Sequence, residues 1–148
     1  ASTAHQVADL LTSVVDNGTA ERASVNGYKI AAKTGTSWKY FSPENSYEMP
    51  NGQFDPYLDK NGQRHYTSTV TGFFPAQKPE LSMIVIIDDP APIEELFYAS
   101  HVAAPLFGDI AAWSLRHYQI SPFKEVQLSD NNQQALDSPN PDEGGESE

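Results

Sequence analysis

In the stretch 31-AAKTGTSW-38, one lysine stands among small residues and is followed by Thr-Gly-Thr. Lys33, Thr34, Gly35 and Thr36 are residue types that can hold an anion: an ammonium, two hydroxyls and a glycine that leaves main chain unshielded. On a strand, they would present a fixed cation beside bare backbone. An extended ligand ending in a carboxylate can lie against such a strand as an added partner. The tripeptide Lys-Thr-Gly arises by chance in roughly 3% of chains this long, so alone it only suggests chemistry. The competing reading is a lysine on the solvent side of an edge strand, a common use of that residue.

Other chemistries find less support. The sequence has no cysteine, which excludes disulfides, thiol nucleophiles and thiolate metal sites. That suits an extracytoplasmic bacterial domain, although cytosolic proteins also lack cysteine. His5, His65, His101 and His117 show no metal-ligand spacing. Asp59-Lys60-Asn61-Gly62 lacks the spacing of a calcium loop and reads as a turn. Asn17-Gly18-Thr19 matches a glycosylation acceptor, but a helix end explains it better. Trp38, Tyr40 and Phe41 could line a groove mouth, but ordinary burial habits favour their closing a core.

The elements that must position Lys33 follow from periodicity. Residues 3–17 predict an amphipathic helix, with Val7, Leu10, Leu11, Val14 and Val15 on one stripe, Thr3 and Gln6 at capping-box spacing, and Gly18 as a stop. Residues 28–38 read as a strand with unusually small residues. Residues 39–65 form a long polar and aromatic connection, a length that is usually functional or mobile. The runs 66–74 and 81–88 predict a hairpin, and the second is apolar enough that both its faces should be covered. Residues 101–118 predict a closing helix that buries Val102, Leu106, Ile110, Trp113 and Leu115, with Pro105 acceptable only in its first turn. The fold class is therefore mixed α/β (α+β). Three antiparallel strands flanked by two helices leave a sheet edge and part of a face uncovered.

The 148 residues have the size of one ordinary domain. Residues 1–124 hold all 9 Lys and Arg and 13 of the 20 Asp and Glu, a net −4, while residues 125–148 hold 7 acids and no base. A net-negative body without clustered cations argues against nucleic acid as a partner. Residues 1–122 read as the domain portion. Residues 123–148 read as an acidic, disordered tail. No apolar run reaches the ~20 residues that span a bilayer. Beginning with Ala1 directly before a helix, the chain reads as a piece of something longer.

Three segments in order resemble one family. The run 14-VVDNGTAERASVNGYKIAAKTGTS-37 is similar to the approach to the Lys-Thr-Gly motif of class B penicillin-binding proteins, the serine D,D-transpeptidases of cell-wall synthesis. The runs 67-TSTVTGFFPAQKPELSMIVIIDDP-90 and 102-VAAPLFGDIAAWSLRHYQISP-122 are similar to that family's Pro-Ala hairpin and closing helix. The resemblance covers residues 1 to about 122. It implies a partial penicillin-binding/β-lactamase-like transpeptidase fold, in which this chain supplies the last three strands of a helix-flanked five-stranded antiparallel sheet. As small departures, Ala32 replaces the usual Gly, Ser37 the usual Ala or Thr, and the loop after Trp38 is long.

The same resemblance implies the site roles. Lys33 and Thr36 would be catalytic, Lys33 through the hydrogen-bond network and Thr36 through a backbone N–H in the oxyanion hole. Thr34, Gly35, Thr36 and Ser37 would bind substrate. The ligands implied are the D-Ala-D-Ala stem peptide of peptidoglycan and β-lactams. The N-terminal remainder of the domain, and other cell-wall synthesis or division proteins, would be partners. No cofactor or metal is implied, and the location would be the extracytoplasmic face of the cell membrane. The family also needs Ser-x-x-Lys and Ser-x-Asn. Here 24-SVN-26 lies in the turn entering Lys33's own strand, and 121-SPFK-124 follows Lys33 where the family's nucleophile precedes it, so neither is read as catalytic. A serine β-lactamase or D,D-carboxypeptidase of the same fold, and a non-catalytic sensor or scaffold, remain as alternatives.

Overall fold

In the computed structural model, which describes residues 2–91 and 97–122, helix α1 (Ser2–Asn17) leads through one 3-10 turn into strand β1 (Ala31–Trp38). Strands β2 (Ser46–Glu48), β3 (Phe54–Asp59), β4 (Tyr66–Phe74) and β5 (Leu81–Asp88) follow, and helix α2 (Ala99–His117) closes the series. β1, β4 and β5 form one antiparallel sheet in that order, and β2 and β3 form a separate two-stranded hairpin. The mixed architecture expected from periodicity is present. The expected acidic tail over 123–148 lies outside the described residues.

Strand alternation gives the sheet two unlike faces. Ala32, Val70, Phe74 and Val85 join Val15, Ile30, Phe107 and Leu115 in the core beneath the two helices. Lys33, Thr71, Ile84 and Ile86 are exposed on the opposite face, and the two isoleucines are each 59% exposed. The part of a sheet face expected to be uncovered is thus the one bearing Ile84 and Ile86, although the apolar run of β5 taken alone predicts cover on both sides. An apolar run can specify a strand without the same chain supplying a cover for each side.

α2 also turns differently from expectation. Its buried residues are Ala99, Ala103, Ala104, Phe107, Gly108, Ala111 and Leu115, so of the predicted face only Leu115 is buried. Val102 is half-buried, while Leu106, Ile110 and Trp113 are exposed, Trp113 by 57%. The sheet already supplies bulk through Val70, Phe74 and Val85, so a close helix must offer small residues there. The large exceptions are Leu115 near the end of α2 and Phe107, which meets Phe74 edge-to-face at 5.9 Å. The sheet uses the same device internally: a Cβ at Gly72 would lie 2.3 Å from the Ala31 carbonyl oxygen. Pro105 lies inside α2, past its first turn, so it withholds an interior N–H. α1 begins at Ser2, which puts Thr3 within the helix instead of at a cap. Of the α1 stripe only Val15 is buried, and Val7 and Leu10 are exposed.

The connection 39–65 is a small lobe. β2 and β3 pair within it, and Asp59 closes its last turn by accepting from the N–H groups of Asn61 (2.9 Å) and Gln63 (2.7 Å). Its neck is held by charge. The Lys39 N–H donates to the His65 carbonyl (2.9 Å), and Lys39 Nζ lies 2.7 Å from Asp88 and 3.6 Å from Asp89. His65 Nδ1 is 2.6 Å from Asp89 just past the end of β5, and its Nε2 is 3.4 Å from Asp59 in the lobe. Hydrogen bonding to Asp89, then to Asp59, raises the His65 pKa against the opposing effect of burial. Hydrogen bonds from the Gln63 N–H and from Lys39, respectively, lower Asp59 and Asp88.

A raised imidazole pKa stabilises the folded neck fully below the ordinary value of 6.5 and loses that contribution as pH rises through the higher folded value. In an NMR pH series His65 should titrate above 6.5. Hydrogen-exchange protection of the lobe, corrected for intrinsic exchange, should fall across that step. His65→Asn should remove the pH dependence of protection. An imidazole that titrates at its free value would show that the two aspartates do not hold it.

Candidate functional site

β1 carries the residues singled out in the sequence, and its register decides where their backbone points. Pairing runs from Ala31↔Phe73 to Trp38↔Tyr66, and the Lys39 N–H to His65 carbonyl bond continues it by one pair. Hydrogen-bonded and non-bonded pairs alternate along an antiparallel ladder. Ser37, Gly35 and Lys33 therefore bond to β4, whereas Thr34, Thr36 and Trp38 turn their N–H and C=O groups outward. No strand among the described residues pairs with that outer edge. It is a template for an extended ligand.

The side chains divide between the two faces. Lys33, Gly35 and Ser37 lie on the open face with Thr67, Thr69 and Thr71, while Thr34 and Thr36 lie on the helix face. The ammonium and the two hydroxyls thus approach a ligand from opposite sides of the strand and meet only at its edge. Lys33 Nζ bends round that edge to donate to the Thr34 carbonyl (2.9 Å). Ser37 is exposed. At Gly35 a Cβ would lie 2.7 Å from Thr69 Oγ1, which donates to the Gly35 carbonyl (3.2 Å). A side chain there would displace that hydroxyl and cover bare strand.

Two partners invisible to sequence reasoning organise the threonines. Thr34 Oγ1 shares a 2.7 Å hydrogen bond with Thr19 Oγ1; each hydroxyl owns one proton, so the pair keeps one to give away. Thr36 Oγ1 accepts the Ala99 N–H at the start of α2 (3.1 Å). Helix N–H groups at the first turn lack intrahelical partners, and Tyr98 in the capping position has no side-chain bond to offer. Thr36 therefore caps α2 from a neighbouring strand. Accepting that bond leaves its own proton free and polarises it, so a carboxylate at the edge would meet a strengthened donor near the positive end of a 19-residue helix. The only signal for Thr19 was its place in the Gly-Thr of the segment leading to β1. Nothing in the sequence pointed to Ala99.

The two serine motifs lie elsewhere. Ser24, Val25 and Asn26 line a surface cleft of about 470 Å³ with Pro105, Gly108 and Arg116 of α2, behind the sheet face that bears Lys33. Ser121 lies beyond α2, and Phe123 and Lys124 fall outside the described residues. Among the described residues no group of three His, Cys, Asp or Glu is placed to hold a metal. The aromatic residues correct an expectation. Trp38 and Tyr40 are 54% and 66% exposed instead of closing a core. They meet Tyr57 edge-on at 5.7 Å and 6.2 Å. Phe41 is half-buried against His65 at 5.4 Å.

Residues 1–112 match the family described as penicillin binding protein transpeptidase domain. The chain is 34% identical over 127 residues to a probable peptidoglycan D,D-transpeptidase PenA of Neisseria flavescens, spanning 85% of this chain and 27% of that protein. It is 34% identical over 101 residues to the peptidoglycan D,D-transpeptidase FtsI of Escherichia coli K12, spanning 68% of this chain and 14% of that protein. The transpeptidase domain of Burkholderia pseudomallei penicillin-binding protein 3 superposes with a TM-score of 0.60 at 26% identity, over 84% of this chain and 32% of that one. Three segments, an edge strand and a fold thus converge on one conclusion: the chain belongs to the penicillin-binding protein transpeptidase domain family.

Proposed function

We propose that residues 1–122 form the C-terminal portion of the transpeptidase domain of a longer protein, a serine D,D-transpeptidase that cross-links peptidoglycan and is acylated by β-lactams. The observation that carries this reading is the outer edge of β1, where the backbone of Thr34 and Thr36 is joined to no strand among the described residues and Thr36 presents a polarised hydroxyl. A stem peptide ending in D-Ala-D-Ala would add to that edge. Its carboxylate would sit at the Lys33 and Thr34 end, with a proton from Thr34 or Thr19 and the charge of Lys33. Its scissile carbonyl would lie opposite the Thr36 N–H, which stabilises charge that develops only in the tetrahedral state.

The nucleophilic serine and its lysine belong to the preceding part of the domain in this reading. The serine oxygen bonds to the penultimate D-Ala carbonyl carbon while the bond to the terminal D-Ala nitrogen breaks, and that nitrogen leaves with a proton. A neighbouring chain's amine then attacks the ester and releases the serine. The relatives are named as transpeptidases, which favours transfer to an amine over the β-lactamase, carboxypeptidase and non-catalytic alternatives. No helix among the described residues is long and apolar enough to cross a membrane. The proposed location on the outer membrane face therefore rests on a membrane anchor elsewhere in the longer protein.

Two outcomes test this. In the full-length protein, Lys33→Ala should slow penicillin acylation by about 10²–10³-fold, the usual loss for one electrostatic donor. The fold should stay nearly intact by thermal melting, because Lys33 stands among the small residues Ala31, Ala32 and Gly35 and anchors no large apolar contact on β1. Acylation within a few-fold of wild type would return Lys33 to an ordinary edge-strand lysine. The 148-residue chain by itself should form no adduct with penicillin in a mass spectrum, since neither Ser24 nor Ser121 faces β1's open edge. A stoichiometric serine adduct would overturn the division of the site between two parts of the domain.

A further inference from the structure

Beyond Thr36 the outer edge of β1 continues to Trp38, whose main-chain groups also point away from β4. Arg64 lies flat on its ring, with Cζ 3.9 Å from the ring centroid. Tyr57 holds the indole edge-on, and Tyr40 supports Tyr57. This stack stands at the root of the 39–65 lobe, whose neck is held by Lys39 and His65.

We infer that Arg64, displayed on Trp38, recognises a side-chain carboxylate on the acyl-donor peptide, one or two residues before the residue that is acylated. This rests on the transpeptidase reading above. Three observations support it.

The first is direction. β1 runs from Ala31 to Trp38, so a ligand pairing antiparallel to it runs from Trp38 towards Ala31. With its terminal carboxylate at Lys33 and Thr34 and its scissile carbonyl at Thr36, the segment before that carbonyl must pass Trp38. Two strand residues span about 6.7 Å, so this is the immediately preceding segment.

The second is the state of the guanidinium. Its face is taken up by the indole, which leaves the N–H donors on its rim for a bidentate acceptor. Among the described residues Arg64 makes no ion pair. Of the nearby acids, Asp88 is held by Lys39, Asp59 by His65, and Asp89 by both.

The third is charge. Residues 1–124 carry a net −4, so an exposed arginine that has no carboxylate partner among the described residues, beside the outer edge of β1, complements an acidic group brought by the ligand. A neutral sugar or apolar side chain could also stack on an aromatic platform. It would have no use for a cation laid across the platform's face.

The test uses the full-length protein and two acyl-donor peptides ending in D-Ala-D-Ala. One bears a free side-chain carboxylate in the residue preceding that dipeptide, and the other bears its carboxamide. Release of D-Ala gives kcat/KM for each. Wild type should prefer the acid donor, and Arg64→Ala should shrink that preference by about tenfold to a hundredfold, the worth of one charge-assisted bidentate contact. Arg64→Lys should retain part of the preference, and raising the salt should compress it in wild type. If Arg64→Ala slows both donors equally, Arg64 only props Trp38 and the inference falls. It falls equally if the preference survives the substitution. A wild-type protein acylated by neither donor nor penicillin would overturn the transpeptidase reading itself, and with it this one.

Discussion

The site depends on how closely α2 lies on the sheet. Ala99, Ala103, Ala104, Gly108 and Ala111 face inward, and the sheet contributes Ala32 and the bare backbone of Gly72. Small residues on both sides let the first N–H of α2 reach the Thr36 hydroxyl. Larger side chains on that helix face would lift α2 and break the contact. Thr36 would lose the bond that orients and polarises its hydroxyl, and α2 would lose its cap. Packing and electrostatics at the edge of β1 are thus one constraint.

That edge combines features that conflict in an ordinary strand. An unpaired edge invites association with other chains. Here it carries an exposed lysine beside it and ends at a lobe that turns the chain away after Lys39. Lys33 bends onto the Thr34 carbonyl, so the cation occupies the edge where a ligand carboxylate would bind. A ligand would exchange that weak neutral contact for an ion pair, which favours anions over water at little cost in reorganisation.

The lobe is built on another principle. It buries few large apolar groups and is tied to the sheet through a neck where Lys39 and His65 stand among Asp59, Asp88 and Asp89. Charge networks of this kind weaken with salt and with pH, unlike the alanine-rich contact under α2. The lobe carries Arg64 and Tyr57 against Trp38. The lobe is therefore held to the sheet by contacts that respond to salt and pH, whereas β1 is held by packing and its ladder to β4.

Local pattern and motif were enough for the order of elements and for the strand that matters. Periodicity located both helices and the β4–β5 hairpin, because each repeats an apolar pattern over enough residues to exceed noise, whereas β1 stood out by its small residues around Lys-Thr-Gly. The family's motifs pointed to Lys33, Thr34, Gly35, Thr36 and Ser37. Tertiary structure alone decided the rest. Both sides of α2 are apolar, so the pattern located a helix without saying which side packs. The sheet chose the alanines, because bulk from Val70, Phe74 and Val85 had already filled the space. The pairing of β2 with β3 within the 39–65 lobe was not legible, since its strands are short and its neck is closed by residues 24 positions apart, His65 and Asp89. Which face of β1 meets the helices, and the capping of α2 by Thr36, likewise exist only once β1 has met β4 and α2. A residue's neighbours across a sheet or a helix contact are set by long-range packing, and no local spacing encodes them.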